Sequence, residues 1–156
     1  MAHGAPDWWS RGHMDIILQT LQYLIIKPYY GDSKVLSSCT SVPDTTWTQL
    51  FKIEGKGRIY GGIIRSGAEE PTHPAFRVYL DGDEAGWFDL GEMLKAKLFP
   101  PASSFLRVLC KQAAVPFFVV DLLPNIQFED SLEVQFWHDS GANRTICYEI
   151  YYGLAT

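Results

Sequence analysis

The stretch Trp47 to Arg65, WTQLFKIEGKGRIYGGIIR, leaves the chain little choice but a sheet. Trp47 to Ile53 is rich in aromatic and β-branched residues, which suit a pleated, half-buried strand. Arg58 to Ile64 reads as a second strand with Tyr60 and Ile64 on one face and Ile59 and Ile63 on the other, so both faces are expected to be covered. Gly55, Lys56 and Gly57 between them supply freedom at positive φ, and the expected connection is a tight hairpin. Gly61 and Gly62 in mid-strand mark a bulge, a bend or the close approach of another chain. A bend there suits a jelly roll or small barrel.

The rest of the chain repeats this texture. Lys34 to Val42 alternates as a strand. Phe76 to Leu80 leads through the Asp81-Gly82 turn into Ala85 to Phe88, a hairpin signature. Phe105 to Gln112, Val115 to Leu122, Ser131 to His138 and Arg144 to Tyr152 follow. In the third of these Leu132, Val134 and Phe136 point inward, and in the fourth Ile146, Tyr148, Ile150 and Tyr152 share one face. Two helices are expected, one from Asp15 to Leu24 on its three- and four-residue apolar spacing, the other from Leu90 to Leu98 behind the cap Asp89 and before Pro100. Residues 1–14, with Gly4, Pro6 and Gly12, read as an extended N-terminal arm, and residues 15–156 as a single domain. The expected fold is all-β, an antiparallel jelly-roll-like β-sandwich with one or two short helices and that arm.

Composition narrows the function. A net charge of −5 with cations scattered singly speaks against nucleic acid, because phosphate recognition needs clustered Lys and Arg. The longest apolar run, Ile16 to Ile26, is interrupted by Gln19, Thr20 and Gln22 and is too short to span a bilayer, so no membrane partner is expected. Nor does the N-terminus have a signal peptide's basic-then-apolar order, which points to synthesis in a cytoplasm. Cys39, Cys110 and Cys147 have no CxxC spacing and are odd in number, and are expected to be buried thiols. Aromatic residues make up 14% of the chain, more than one small core readily hides, and Trp8 and Trp9 sit on the arm. They dock either on this subunit's own barrel end or on a neighbouring subunit.

Motifs that carry chemistry are scarce. Asp81 to Glu92, DGDEAGWFDLGE, matches a calcium loop at its acidic positions and at Gly86, but Ala85 stands where an oxygen ligand is needed and a strand precedes it. The turn and the helix cap account for Asp81 and Asp89 instead. His3, His13, His73 and His138 never pair at metal-ligand spacing and read as surface histidines. No catalytic residue, metal or cofactor is expected, although an enzyme could assemble its site from distant strands. Trp87, Trp137 and Tyr151 could stack on sugars, which makes a carbohydrate-binding sandwich the alternative function.

HGAPDWW, FKIEGKGRIYGGIIR, the YLDGDE turn and IQFEDSLEVQF together resemble the small jelly-roll structural proteins of tailed-phage particles, found as head-decoration, fibre-base or tail components. The resemblance implies a non-enzymatic virion protein that assembles as a homotrimer, carries a terminal arm and contacts other virion proteins; a surface glycan is the further partner that the exposed aromatic residues suggest. The interface candidates are Trp8, Trp9, Tyr29, Tyr30, Trp137 and Tyr151.

Overall fold

Alternating apolar side chains become strands throughout the described residues. The computed structural model describes residues 30–67, 73–90, 105–112 and 117–155. In order the strands are β1 (Lys34–Val42), β2 (Thr48–Glu54), β3 (Gly57–Ser66), β4 (Ala75–Leu80), β5 (Asp83–Asp89), β6 (Leu106–Gln112), β7 (Phe117–Leu122), β8 (Gln127–Phe128), β9 (Ser131–Trp137) and β10 (Arg144–Leu154). The arm at residues 1–14 and the helix expected over residues 15–24 lie outside the described residues. So does the second expected helix apart from Leu90, which is helical and fully buried.

Two antiparallel sheets pack face to face. The larger runs β1-β10-β3-β7-β6, with β8 beside β3, and the smaller runs β2-β9-β4-β5. The pairing β1 with β10, β2 with β9, β3 with β7 and β8, and β4 with β5 is that of a long ribbon folded back on itself and rolled up, the jelly-roll winding. Between the sheets lie Phe76, Phe88, Phe118 and Phe136, with neighbouring ring centroids 5.0 to 6.2 Å apart. Burying each such ring contributes roughly 1.5–3 kcal/mol.

The expected hairpin at Gly55 does not form. β2 and β3 belong to different sheets, so Gly55 and Lys56 carry the chain across the sandwich. Their backbone groups bond to distant strands and not to each other: Gly55 N–H donates to the Asp130 carbonyl at 2.7 Å, and Ala155 N–H donates to the Lys56 carbonyl at 2.8 Å. Gly55 takes φ of 96°, which permits a hairpin or a crossing equally well. The pairing partners decide between them. By contrast Asp81 (φ 55°) and Gly82 (φ 90°) close the β4–β5 hairpin as expected.

Gly61 marks a bulge. Tyr151 and Tyr152 of β10 face Gly61 and Ile59, which leaves Tyr60 as the extra residue. One inserted residue switches sides, so Ile59 and Ile64 both reach the core while Tyr60 and Ile63 stay 39% exposed. The expectation that both faces of β3 are covered is therefore corrected: alternation without the bulge puts Ile59 and Ile64 on opposite faces.

Cysteine pairing also departs from expectation. Cys39 and Cys147 lie directly opposite each other on β1 and β10 and form a disulfide, with Cα atoms 4.0 Å apart. The two residues are 108 positions apart in sequence, and only strand register brings them together.

Candidate functional site

Chemistry concentrates on the two outer faces of the sandwich. On the smaller sheet, register sets outward side chains in rows. Trp47, immediately before β2, stands beside Trp137 of β9, their ring centroids 6.4 Å apart at 34°. The next row crosses all the strands as Gln49, Gln135, Arg77 and Trp87. A third holds Lys52, Glu133, Tyr79 and Glu84. Bulges at Leu50 and Ala85, each an extra residue in its strand, keep these residues outward while Phe51, Ile53 and Phe88 go inward.

Within this face the polar groups hold one another in place. The Arg77 guanidinium carbon lies 4.1 Å from the Trp47 ring centre, a cation–π contact, and its Nε is 3.6 Å from Glu84 Oε2. Gln135 Nε2 donates to Glu133 Oε1 at 2.6 Å, and the Tyr79 hydroxyl reaches Glu84 Oε2 at 3.5 Å. Trp87 remains 54% exposed at the sheet edge. Trp47 and Trp137 are half-buried.

The outer face of the larger sheet is different in kind. Val35, Tyr60, Ile63 and Tyr151 are all exposed there, Val35 at 56%. A groove of about 830 Å³ runs over Gly61 and Gly62 between Tyr151, Ile63 and the segment Gly31 to Ser33. Asp121 in its wall is paired with Arg107 at 2.5 Å. Glu149 accepts a hydrogen bond from the Tyr151 hydroxyl, and that carboxylate raises the tyrosine's pKa above its ordinary value. A smaller hollow of about 270 Å³ opens over the Cys39–Cys147 disulfide and Arg65.

Of the interface candidates, Trp137 and Tyr151 fall on opposite faces of the molecule. Tyr30 bridges to Ala155, and its carbonyl accepts a 3.3 Å hydrogen bond from the Tyr60 hydroxyl. Trp8, Trp9 and Tyr29 lie outside the described residues. Sequence reasoning missed Trp47 and Arg77. Strict alternation misleads here, since Trp47 and Gln49 share the odd positions of the core residues Phe51 and Ile53, and only the bulge at Leu50 sets the first pair outward.

Asp81 has a structural task. Its Oδ1 accepts backbone N–H bonds from Glu129 (3.0 Å), Asp130 (2.7 Å) and Ser131 (3.0 Å), tying the β4–β5 turn to the β8–β9 turn. Those donors, led by Asp130, hold its carboxyl below the usual range. His138 is not a surface residue as expected. It is fully buried, with Nε2 3.1 Å from the Val42 carbonyl, while Ser140 N–H donates to Nδ1 at 3.3 Å. His73 fits the expectation, pairing in the open with Asp139 at 2.9 Å.

Compared with known proteins, the chain matches no family model and no curated protein. Both faces offer stacking surface and fixed hydrogen-bonding groups, which are means of binding.

Proposed function

We propose that this protein is a non-enzymatic structural component of a phage particle. It assembles as a homotrimer through the outer face of the larger sheet together with its N-terminal arm. The observation that carries the reading is the patch of Val35, Tyr60, Ile63 and Tyr151, large apolar side chains left in water on one continuous sheet face. Such patches are commonly covered by a partner, and closed symmetric assembly covers them with another copy. Tyr30, the first of the described residues, lies beside Tyr60 at the border of this patch. The jelly-roll winding agrees with the resemblance, although a fold by itself does not assign a function. A disulfide on the same face suits a protein made in a cytoplasm and then exposed on a particle, since virion surfaces are among the places where disulfides persist.

Light scattering and sedimentation of the purified protein test the assembly. The expected mass is that of a trimer, and Ile63→Asp in the middle of the patch is expected to give monomers with an unchanged far-ultraviolet spectrum. A wild-type monomer at micromolar concentration would sink the trimer. Mass spectrometry of purified particles tests the location, and absence of the chain from them would remove the virion role.

A second reading, a carbohydrate-binding module, is favoured by the cluster of Trp47, Trp137, Arg77 and Trp87 on the opposite face.

A further inference from the structure

We infer that the outer face of the smaller sheet is a binding site for a neutral oligosaccharide, laid across the strands from the Trp47–Trp137 pair to Trp87. The inference deepens the carbohydrate-binding reading and does not depend on the phage reading. Its first ground is the arrangement of the face. Aromatic rings stand at the ends, and the middle is a polar row of Gln49, Gln135 and Arg77. Interfaces between proteins have the reverse layout, an apolar centre depleted in charge and a polar rim. A saccharide fits the observed one, because its ring faces are apolar and its edges carry hydroxyls that both donate and accept. The Gln amides and the guanidinium are planar groups that can each serve two such hydroxyls.

The second ground is charge. Among the described residues each cation on the face already faces a carboxylate, Lys52 with Glu54 at 3.1 Å and Arg77 with Glu84 at 3.6 Å. Glu133 adds further negative charge beside Gln135. A sulfated, phosphorylated or carboxylated ligand would be repelled there, which leaves the uncharged sugar as the fitting class.

The third ground is rigidity. Arg77 is held between the Trp47 ring and Glu84, Gln135 is held by Glu133, and all of them stand on a sheet. For Arg77 and Gln135 little side-chain freedom remains to be lost on binding. Three inter-strand gaps separate β2 from β5, a span of about 14 Å, enough to favour a short oligosaccharide over a single sugar.

The experiment is titration of the full chain with neutral di- to hexasaccharides of gluco, galacto and manno configuration, read by tryptophan fluorescence and saturation-transfer NMR. The expected result is saturable binding of at least one series in the millimolar range or tighter, weakened about tenfold or more by Trp87→Ala. Gln135→Ala is expected to weaken the same series, and Tyr151→Ala, on the opposite face, to leave it within about twofold of wild type as a site remote from the ligand. Melting curves of each variant confirm that it is folded. The proposal is overturned if no neutral series saturates, if a sulfated oligosaccharide binds more tightly than any neutral one, or if both Trp87→Ala and Gln135→Ala bind unchanged. A fall in oligomeric mass on Trp87→Ala would also overturn it, by making this face a contact between copies. Loss of mass on Ile63→Asp with sugar binding intact supports both readings separately, whereas a monomeric wild type that binds sugar removes only the trimer.

Discussion

A single carboxylate oxygen can organise two turns. Asp81 Oδ1 gathers three consecutive N–H groups from residues 129–131. Its folded pKa is lowered, so the stability it contributes is present above the ordinary carboxylate pKa and lost as pH falls through the depressed value. Asp81→Asn is therefore expected to lower the melting temperature at neutral pH, with the gap from wild type narrowing as pH falls below about 4. A gap that stays constant from pH 7 to pH 2.5 would mean that the hydrogen bonds do not depend on the charge. Gly62 is a second residue-scale constraint. A Cβ there would lie 2.7 Å from the Glu149 carbonyl oxygen and 2.9 Å from the Ile150 Cα, backbone atoms that cannot step aside cheaply. Gly62→Ala is expected to cost about 1–3 kcal/mol in chemical denaturation, as overpacking does elsewhere.

At the scale of elements, β1 is the strand most dependent on covalent help. Among the described residues it lies at the edge of the larger sheet and pairs only with β10, and of its own residues only Val42 is fully buried. The disulfide to Cys147 fixes it in mid-strand. Replacing both Cys39 and Cys147 by serine is expected to lower the unfolding free energy by about 2–4 kcal/mol, and by the same amount as reductant does in the wild type. Hydrogen exchange should show the loss first in β1, with β9 and β4 protected as before. Equal loss across all strands would mean that the bond stabilises the whole sandwich and not its edge. The bulges act at this scale as well. Tyr60, Leu50 and Ala85 each reset the alternation of a strand, and without them Ile59, Ile53 and Glu84 would lie on the wrong side.

For the whole molecule the question is how the core and the surface divide the work. Every described strand follows Tyr30, and the described core residues lie on those strands and their loops. Deleting Met1 to Ser10 is therefore expected to leave the sandwich folded, with its melting temperature changed by only a few degrees. If Trp8 and Trp9 dock on a neighbouring subunit, association weakens by orders of magnitude, since two buried tryptophans can contribute several kcal/mol at an interface. Sedimentation and calorimetry of the truncated protein separate the cases. Unchanged association with a clear loss of thermal stability would place the tryptophans on their own subunit.

The sequence by itself determined the class of fold and most of the strands. β1 spans the residues its alternation marks, and the Asp81-Gly82 turn closes its hairpin, because strand periodicity and turn chemistry are local properties. Leu132, Val134 and Phe136 point into the core for the same reason. The tertiary structure decided what depends on partners far along the chain. Gly55 joins two sheets because β2 pairs with β9 and β3 with β10, and a glycine that allows both outcomes cannot announce which one occurs. The disulfide follows from the register of β1 on β10, and the short β8 has too few residues to show a period. The proposed site is of the same kind. Trp47, Trp137, Arg77 and Trp87 come from β4, β5, β9 and the approach to β2, and only the order of strands in the sheet makes them neighbours.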